Sequence, residues 1–217
     1  MNTEVTALVR DGYDLIAEQY LAQAREPRPH PRHEWLSLLL ERLGPAGAVL
    51  DLGCGAGVPT GAAIVSASHR LVGIDISPRQ VELARKEVPA GNFVVADATE
   101  TTFEGSSFDA VVALYCISHM PRDRHAALFA SIHDWLKPDG WFLTCLGTRE
   151  STGWLEEDFL GYGGTNWTNS YDLEQNRALL MGAGFSLERA EIVEVDEPNG
   201  LETWFWVLAR RHRIGER

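Results

Sequence analysis

The sequence is poor in cysteine, in basic residues and in long apolar runs, and each shortage excludes a class of protein. Three cysteines among 217 residues, none in a CxxC pair, exclude a disulfide scaffold and a cysteine-based zinc site. Lys and Arg total 19 against 31 Asp and Glu, a net charge of −12, which argues against binding nucleic acid or an anionic membrane surface. No apolar run reaches the ~18 residues of a membrane span.

The start of the chain also lacks the apolar stretch of a signal peptide. We therefore expect a soluble, cytoplasmic protein that is a monomer or a homodimer. Its expected partner is a small molecule, with no bound metal, nucleic acid or membrane.

The middle of the chain alternates short apolar strands with amphipathic helices. Strand-like segments end near residues 52, 74, 96, 114 and 146, and helical patterns lie between them. This alternation predicts a parallel sheet covered by helices on both faces. Two later strand-like segments, 185–195 and 202–209, flank the turn 197–200. They predict a hairpin that adds an antiparallel strand to the sheet.

A glycine-rich turn follows the first strand, in the segment VLDLGCGAG at 49–57. Glycine permits positive φ and close approach of the backbone to a ligand, and the next helix presents free N–H groups. A dinucleotide-binding GxGxxG motif would need a third glycine at position 58, where Val58 stands, and the Lys-Ser/Thr of a P-loop is absent. Asp51, at the strand end, would repel a pyrophosphate and suits a ligand with positive charge.

Carboxylates stand at the ends of the first three strands, at Asp51, Asp75 and Asp97. The carboxyl ends of parallel strands meet at one edge of an open sheet, where ligands bind. Asp75 can accept hydrogen bonds from both hydroxyls of a ribose, and Asp97 fits an acceptor for an adenine amino group. A ligand with a ribose, an adenine-like base, a cationic part and no pyrophosphate matches S-adenosylmethionine.

Further segments carry a family resemblance: VGIDIS at 72–77, VVADAT at 94–99, FDAVVALYCISHMP at 108–121 and LKPDGWFL at 136–143 follow the glycine turn, and YDLIAEQY at 13–20 precedes it. In order and spacing they resemble the class I S-adenosylmethionine-dependent methyltransferases of the small-molecule type. The resemblance implies an enzyme that uses S-adenosylmethionine as its cofactor. It would methylate O, N, S or C of a small metabolite and release S-adenosylhomocysteine.

The resemblance also implies roles for residues around the glycine turn. Gly53 and Gly55 would hold the amino-acid part of the cofactor, and Asp51 would support the turn and face the amino group. Cys54 lacks a partner pattern for a nucleophile, and it is interpreted as a small residue beside the cofactor. Asp75 would bind the ribose hydroxyls.

The remaining cofactor contacts implied by the resemblance come from later strands and from the first helices. Ile76 would pack on the adenine, while Asp97 and the N–H of Ala98 would bind its edge. Four residues would surround the methionine part or close over the cofactor: Leu114, Tyr115, Tyr20 and Tyr13.

The implied fold is a single doubly wound, Rossmann-like α/β domain over residues 1–217. Its seven strands would take the order 3-2-1-4-5-7-6, with strand 7 antiparallel. Residues 1–44 would form N-terminal cap helices and 45–147 the cofactor-binding core. Residues 148–171 would form a substrate lid loop, and 172–217 a helix and the C-terminal hairpin.

His119 is the candidate catalytic base, because this position faces the methyl-transfer cavity in the resembling family and imidazole titrates near neutral pH. A structural histidine bonded to a loop carbonyl is the alternative. Many methyltransferases need no base, since positioning for in-line transfer supplies much of the acceleration.

Residues 148–171 are polar, glycine-rich and aromatic without a clear period. An irregular segment of this length favours a mobile lid over the substrate, although its aromatic residues could instead pack on the sheet. Arg149 could bind a carboxylate or phosphate of the substrate or be a plain surface arginine. With Tyr13 and His119, the candidate substrate-binding residues are Arg149, Trp154, Tyr162, Trp167 and Tyr171.

Two other functions remain open from the sequence. A nicotinamide-dependent oxidoreductase on a Rossmann sheet is disfavoured by Val58 and by Asp51 before the turn. A non-catalytic relative that binds the cofactor or serves as a scaffold subunit is disfavoured by the intact acidic trio.

Overall fold

A computed structural model gives the structure of residues 2–197 and 200–212. The strands of this part are β1 (Ala48–Leu52), β2 (Arg70–Asp75), β3 (Asn92–Val95), β4 (Phe108–Ala113), β5 (Leu136–Gly147), β6 (Ser151–Phe159), β7 (Gly164–Ser170), β8 (Phe185–Glu197) and β9 (Gly200–Arg211). Seven of them form one sheet in the order β3-β2-β1-β4-β5-β9-β8. Strands β1 to β5 run parallel, and β9 is antiparallel to both β5 and β8. Since β8 and β9 are the predicted sixth and seventh strands, the predicted order is confirmed.

The described helices are α1 (Asn2–Leu15), α2 (Ala17–Ala24), α3 (Pro31–Leu40), α4 (Thr60–Ser66), α5 (Pro78–Glu87), α6 (His125–Trp135) and α7 (Leu173–Gly182). The predicted caps form: the Ser77 side chain accepts the N–H of Gln80 at 3.0 Å, which starts α5. The amphipathic pattern of residues 3–23 favours a single helix, but this segment forms α1 and α2 with a break at Ile16, which is fully buried and lies against Gly164.

The sheet divides the apolar core into two layers because side chains alternate along each strand. On one face, Phe142 of β5 packs against Phe129 of α6 and Phe205 of β9 joins the same cluster. On the other face, Trp206 of β9 packs near Trp35 of α3, with 5.8 Å between ring centroids. Phe205 and Trp206 thus lie on opposite faces of the sheet, as the alternation of side chains along a strand over 202–209 predicts.

The residues Pro138, Asp139 and Gly140 favour a turn, with a strand only from position 141. In the structure β5 begins five residues earlier, at Leu136, and includes them. Asp139 has a positive φ of 67°, and the pairing of β4 with β5 shifts register between Phe108 and Ala110. The turn residues are thus an irregularity within a longer strand. Of the predicted turn 197–200 between β8 and β9, residues 198 and 199 lie outside the described residues.

The segment 148–171 is not the irregular loop that the sequence predicts. It forms the antiparallel pair β6–β7, a hairpin separate from the main sheet. Two register shifts interrupt the pairing, between Ser151 and Trp154 and between Glu156 and Phe159. These bulges, together with the exposed face of β6, remove the alternation of polar and apolar residues by which a strand is recognised in a sequence.

The β6–β7 hairpin packs against α1 so closely that the two backbones are in direct contact. A Cβ atom on Gly12 of α1 would lie 2.1 Å from the carbonyl oxygen of Thr165 in β7, and one on Gly164 would lie 3.0 Å from the carbonyl oxygen of Gly12. Both positions therefore require glycine, because any side chain would push the helix away from the hairpin. The N-terminal helices and the hairpin form one cover over the edge of the sheet.

We expect Gly12→Ala to destabilise the fold and Gly182→Ala to stabilise it, although both glycines lie in helices. At Gly182 of α7 an added Cβ meets nothing within 4 Å, so alanine gains about 0.5–1 kcal/mol of helix propensity. At Gly12 overpacking against Thr165 outweighs that gain and costs about 1–3 kcal/mol. Urea unfolding of the two variants measures both free energies, and equal stabilisation by the two would contradict the close packing of α1 on the hairpin.

Candidate active site

Two adjoining cavities lie at the carboxyl edge of the parallel strands. The smaller, of about 90 Å³, is lined by residues that follow β1, β2, β3 and β4 and by α1 and α2. The larger, of about 740 Å³, lies between the N-terminal helices, the β6–β7 hairpin and the β8–β9 hairpin. Four residues line both: Tyr13, Tyr20, Tyr115 and His119. The two spaces therefore meet at a wall of three tyrosines and a histidine.

Most of the predicted cofactor residues lie around the smaller cavity. Its lining includes Tyr20, Gly53, Gly55, Asp75, Ile76, Asp97, Ala98, Leu114 and Tyr115. Asp51 and Cys54 do not line it; both are buried, and Cys54 packs in the core below the turn. Thr6 and Val9 of α1 also line the cavity and were missed, because no motif marks the residues of a covering helix.

The two predicted cofactor glycines serve different purposes in the turn. Gly53 has a φ of +66°, and a Cβ there would lie 2.3 Å from the Cβ of Cys116. Gly53 thus makes room for the chain after β4. Gly55 has a φ of +52°, and the nearest atoms to a Cβ there would be 3.8 Å and 4.0 Å away, in Gln80 and Tyr20. Its backbone faces open space in the cavity.

Asp75 ties the glycine turn to the start of α5. Its two carboxylate oxygens accept the backbone N–H of Gly55 at 2.8 Å and of Ser77 at 2.9 Å. Burial raises the pKa of this carboxyl to about 6, although those N–H groups oppose the rise. Each carboxylate oxygen has a second lone pair, and Asp75 lines the cavity, so it can accept hydrogen bonds from a ligand.

Asp51 is a buried carboxylate without a full set of partners. Its exposed fraction is 3%, and its Oδ2 has no hydrogen-bond partner among the residues that the structure describes. Burial raises the pKa of Asp51 to about 7. The positive charge of Arg32 opposes this rise, whereas the negative charge of Asp75 adds to it. A buried acid of this kind favours a cationic neighbour, because a positive charge would offset its desolvation.

Asp97 is held in place by its own loop. Its Oδ1 accepts both the N–H and the hydroxyl of Thr99, each at 2.8 Å. The second carboxylate oxygen is free of these bonds, and the residue lines the smaller cavity beside Ala98. The carboxylate is thus positioned to accept a hydrogen bond from a ligand.

His119 lies at the meeting point of the cavities with one defined tautomer. Its Nδ1 lies 3.0 Å from the carbonyl oxygen of Trp167, which can only accept, so Nδ1 carries the hydrogen. The Nε2 lone pair then accepts the hydroxyl of Tyr13 at 3.0 Å. Burial lowers the pKa of His119, and the bond to Trp167 opposes the fall only in part. The imidazole is therefore neutral at pH 7 and able to accept a proton.

Tyr115 has a φ of +60°, and its side chain contacts a second histidine, His30. Its hydroxyl lies 3.3 Å from Nε2 of His30, which lies 3.3 Å from Oε1 of Glu197. Glu197 also accepts a hydrogen bond from Arg28 at 2.8 Å. This network joins the start of α3 to the end of β8 and closes one side of the larger cavity.

The larger cavity contains some of the predicted substrate residues and not others. Arg149 and Trp154 line it with Tyr13 and His119, whereas the side chains of Tyr162, Trp167 and Tyr171 line neither cavity. Tyr171 instead packs against His125, with 5.8 Å between ring centroids. Among the residues that the sequence did not single out for this site are Arg28, Arg32, Phe159, Glu197, Leu201, Glu202 and Trp204.

No set of three or more His, Cys, Asp or Glu side chains in residues 2–197 and 200–212 is arranged to hold a metal ion. None of the helices in that part of the chain combines the length and the hydropathy that a bilayer crossing requires.

Comparison with known proteins agrees with the geometry. Residues 49–140 match a family described as a methyltransferase domain. The chain is 33% identical over 147 residues to a phosphoethanolamine N-methyltransferase of Triticum aestivum, which covers 66% of this chain and 28% of that protein. It is 39% identical over 105 residues to an O-methyltransferase of Penicillium expansum, covering 45% of this chain and 37% of that protein. The chain thus spans about a third of the length of these curated relatives.

Solved methyltransferase structures share the fold over nearly the whole chain. The 1,6-didemethyltoxoflavin-N1-methyltransferase of Burkholderia thailandensis, solved with S-adenosylhomocysteine, superposes with a TM-score of 0.73 at 21% identity and covers 98% of this chain and 91% of its own. Magnesium protoporphyrin IX methyltransferase of Synechocystis, also solved with S-adenosylhomocysteine, gives 0.73 at 16% identity, covering 95% and 99%. At such identities the likeness establishes the fold. Residues 49–140 thus match a methyltransferase domain, and the chain as a whole has the fold of solved S-adenosylmethionine-dependent methyltransferases.

Proposed function

We propose that this chain transfers the methyl group of S-adenosylmethionine to a small molecule. The nucleoside of the cofactor would bind at the smaller cavity, its methionine part would extend toward the larger cavity, and the acceptor would occupy the larger cavity. The observation that carries the proposal is the wall of Tyr13, Tyr20, Tyr115 and His119 that both cavities share, because a methyl donor and an acceptor must meet across one boundary.

The groups around the smaller cavity fit this cofactor. Asp75 offers carboxylate lone pairs to a ribose diol, and Asp97 with the Ala98 N–H offers an acceptor and a donor to an adenine edge. The unpartnered oxygen of Asp51 suits a positively charged ligand group. Gly55 presents backbone rather than a side chain, so that the amino-acid part can approach the turn.

The chain contributes positioning, exclusion of water and a proton acceptor to the reaction. The cofactor, when bound, supplies a methyl group already activated by a sulfonium. Tyr13 and Tyr20 of the covering helices would keep water from the reacting atoms. The acceptor group would replace the Tyr13 hydroxyl as the hydrogen-bond donor to Nε2 of His119. The neutral imidazole would then take the proton of the acceptor at this nitrogen.

A small acceptor is supported by the cavity and by the relatives. A volume of about 740 Å³ lies in the range of small-molecule sites. The methyltransferases named above act by their names on phosphoethanolamine, 1,6-didemethyltoxoflavin and magnesium protoporphyrin IX. The acceptor of this chain is thus expected to be a metabolite and not a macromolecule, as the net charge of −12 also favours.

Binding of S-adenosylhomocysteine tests the proposed cofactor site. Wild-type protein should bind it in calorimetric titration, and Asp75→Asn should weaken binding about tenfold or more, because an amide loses the charged acceptor for the ribose hydroxyls. Glu104→Gln, which removes an exposed acid with the same change of charge, serves as the control and should bind like wild type. No heat of binding with the wild-type protein would refute the proposal.

The affinity for S-adenosylhomocysteine should fall as pH falls from about 8 to about 5. The pKa values of Asp51, about 7, and of Asp75, about 6, belong to the unliganded site. A ligand ammonium and ribose hydroxyls favour the ionised carboxylates, so binding expels protons and weakens where the free protein holds them. We expect a loss of at least about tenfold over this range. Asp51→Asn should flatten the part of the profile near pH 7, and a pH-independent affinity would contradict the assignment.

The state of His119 can be tested without an acceptor. Nitrogen-15 NMR of the imidazole should show hydrogen at Nδ1 near pH 7 and a pKa below the usual value of 6.5. Tyr13→Phe should raise this pKa, because the lost hydroxyl bond stabilises the neutral ring. His119→Gln identifies its signals among the seven histidines. Hydrogen at Nε2 in the wild-type protein would rule out His119 as the proton acceptor.

A further inference from the structure

Asn166 is a buried amide on β7 that faces the helix α1. Its exposed fraction is 1%. Side chains alternate along a strand, so Asn166 lies on the same face of β7 as Gly164, which packs against Gly12 and Ile16 of α1. The amide therefore points toward the part of α1 that carries Tyr13.

One end of the Asn166 amide is bonded and the other is not. Its Oδ1 accepts the backbone N–H of Trp167 at 2.8 Å, so Nδ2 points away from that contact. Nδ2 is buried and completes no hydrogen bond of ordinary length and angle in the part of the chain that the structure describes. An unpaired buried donor is unfavourable, and support of the strand through Trp167 does not explain it.

The Tyr13 hydroxyl is the group that this donor can reach. Burial raises the pKa of Tyr13, and three neighbouring titratable groups add to the rise: Tyr20, Asp75 and Cys116. Asn166 acts in the opposite direction through its side chain, which is the effect of a donor close to the phenolic oxygen. The hydroxyl hydrogen of Tyr13 is directed elsewhere, to Nε2 of His119 at 3.0 Å.

We propose that Asn166 is a positioning residue that sets the direction of the Tyr13 hydroxyl. With Nδ2–H at the phenolic oxygen, the hydroxyl hydrogen points to Nε2 of His119, whose Nδ1 donates to the Trp167 carbonyl. The Trp167 N–H returns to Oδ1 of Asn166, so the donors follow one another in a closed circuit. Hydrogen bonds in such a chain strengthen one another. The inference rests on the proposed function, since His119 is its proton acceptor.

The circuit keeps His119 ready and keeps Tyr13 in place. A hydroxyl hydrogen aimed at Nε2 favours the neutral imidazole, which is the form that can take a proton. When the acceptor group replaces Tyr13 at Nε2, the buried phenolic oxygen would lose its partner, and Nδ2 of Asn166 remains to bind it. The ring of Tyr13 then stays at the boundary of the two cavities, which it lines on both sides.

Nitrogen-15 NMR of His119 in a double-mutant cycle tests the positioning role. Asn166→Ala should raise the pKa of His119 by about 0.5–1, because the Tyr13 hydroxyl is no longer held toward Nε2 and the ring takes up a proton more readily. In Tyr13→Phe, which lacks the hydroxyl, the same substitution should shift this pKa by less than about 0.3. An effect that reached His119 through Trp167 would persist in that background, so the cycle separates the two routes.

The surroundings of His119 make this comparison clean. Its ring neighbours are Tyr13 and Phe159, at 5.5 Å and 6.4 Å between centroids. Among the described residues, burial and the bond to Trp167 account for its lowered pKa, without a contribution from a charged group.

Asn176→Ala is the matched control. Asn176 is also 1% exposed, and its Nδ2 donates to the carbonyl oxygens of Gly147 and Tyr171. Its loss should lower the melting temperature and leave the pKa of His119 unchanged.

Asn166→Asp serves if the alanine variant does not fold, because it keeps the oxygen bonded to Trp167 and loses the donor. Its shift of the His119 pKa should be larger with the Tyr13 hydroxyl present than in Tyr13→Phe, since the added charge acts in both backgrounds. Equal shifts in the two backgrounds, or no shift with the hydroxyl present, would overturn the proposal. These measurements use the free protein, whereas titration with S-adenosylhomocysteine tests the proposed function separately.

Discussion

The structure depends on the burial of carboxylates at the ends of adjacent parallel strands. Asp51 lies near the end of β1 and is buried, and Asp75 ends the neighbouring strand β2 and is partly buried beside the smaller cavity. Removing two like charges from solvent is unfavourable, and the raised pKa of each carboxyl expresses that cost. Asp75 recovers part of it from two backbone N–H groups. Asp51 recovers less of this cost, because its Oδ2 has no hydrogen-bond partner in the described part of the chain. A positively charged ligand group, such as a sulfonium or an ammonium, would therefore be stabilised at this edge of the sheet.

The cover over this edge shields the carboxylates from bulk solvent. Asp14 of α1 accepts the N–H of Arg79 at 3.0 Å and the hydroxyl of Ser77, which fixes the helix to the start of α5. On its other side α1 lies against the β6–β7 hairpin through Gly12 and Gly164. The hairpin in turn supplies the Trp167 carbonyl that sets the tautomer of His119. The helix, the hairpin and the imidazole are therefore positioned together, and displacement of the hairpin would remove the acceptor of the Nδ1 hydrogen bond.

The sequence predicts the sheet far better than the cover, and the reason is physical. Buried parallel strands are short continuous apolar runs, and their ends are marked by Asp51, Asp75 and Asp97, so the strand order and the edge of the site can be inferred from local patterns. A bulged hairpin with one exposed face has no such period. The aromatic residues of 148–171 accordingly gave a mixed result: Trp154 lines the larger cavity, whereas Tyr171 packs against His125.

Contacts between distant segments were beyond any local pattern. Arg28 and Glu197 are 169 positions apart and meet beside the larger cavity, and neither position carries a motif. The sequence favours a solvated linker for the basic residues around α3 over a patch that attracts an anionic substrate, and only the folded chain places Arg32 over Tyr115. The cofactor end of the site is built by strand ends that the fold brings together in a fixed way. The acceptor end is built by the N-terminal helices, the β6–β7 hairpin and the β8–β9 hairpin, so its chemistry can change by substitution in any of these while the parallel strands stay the same.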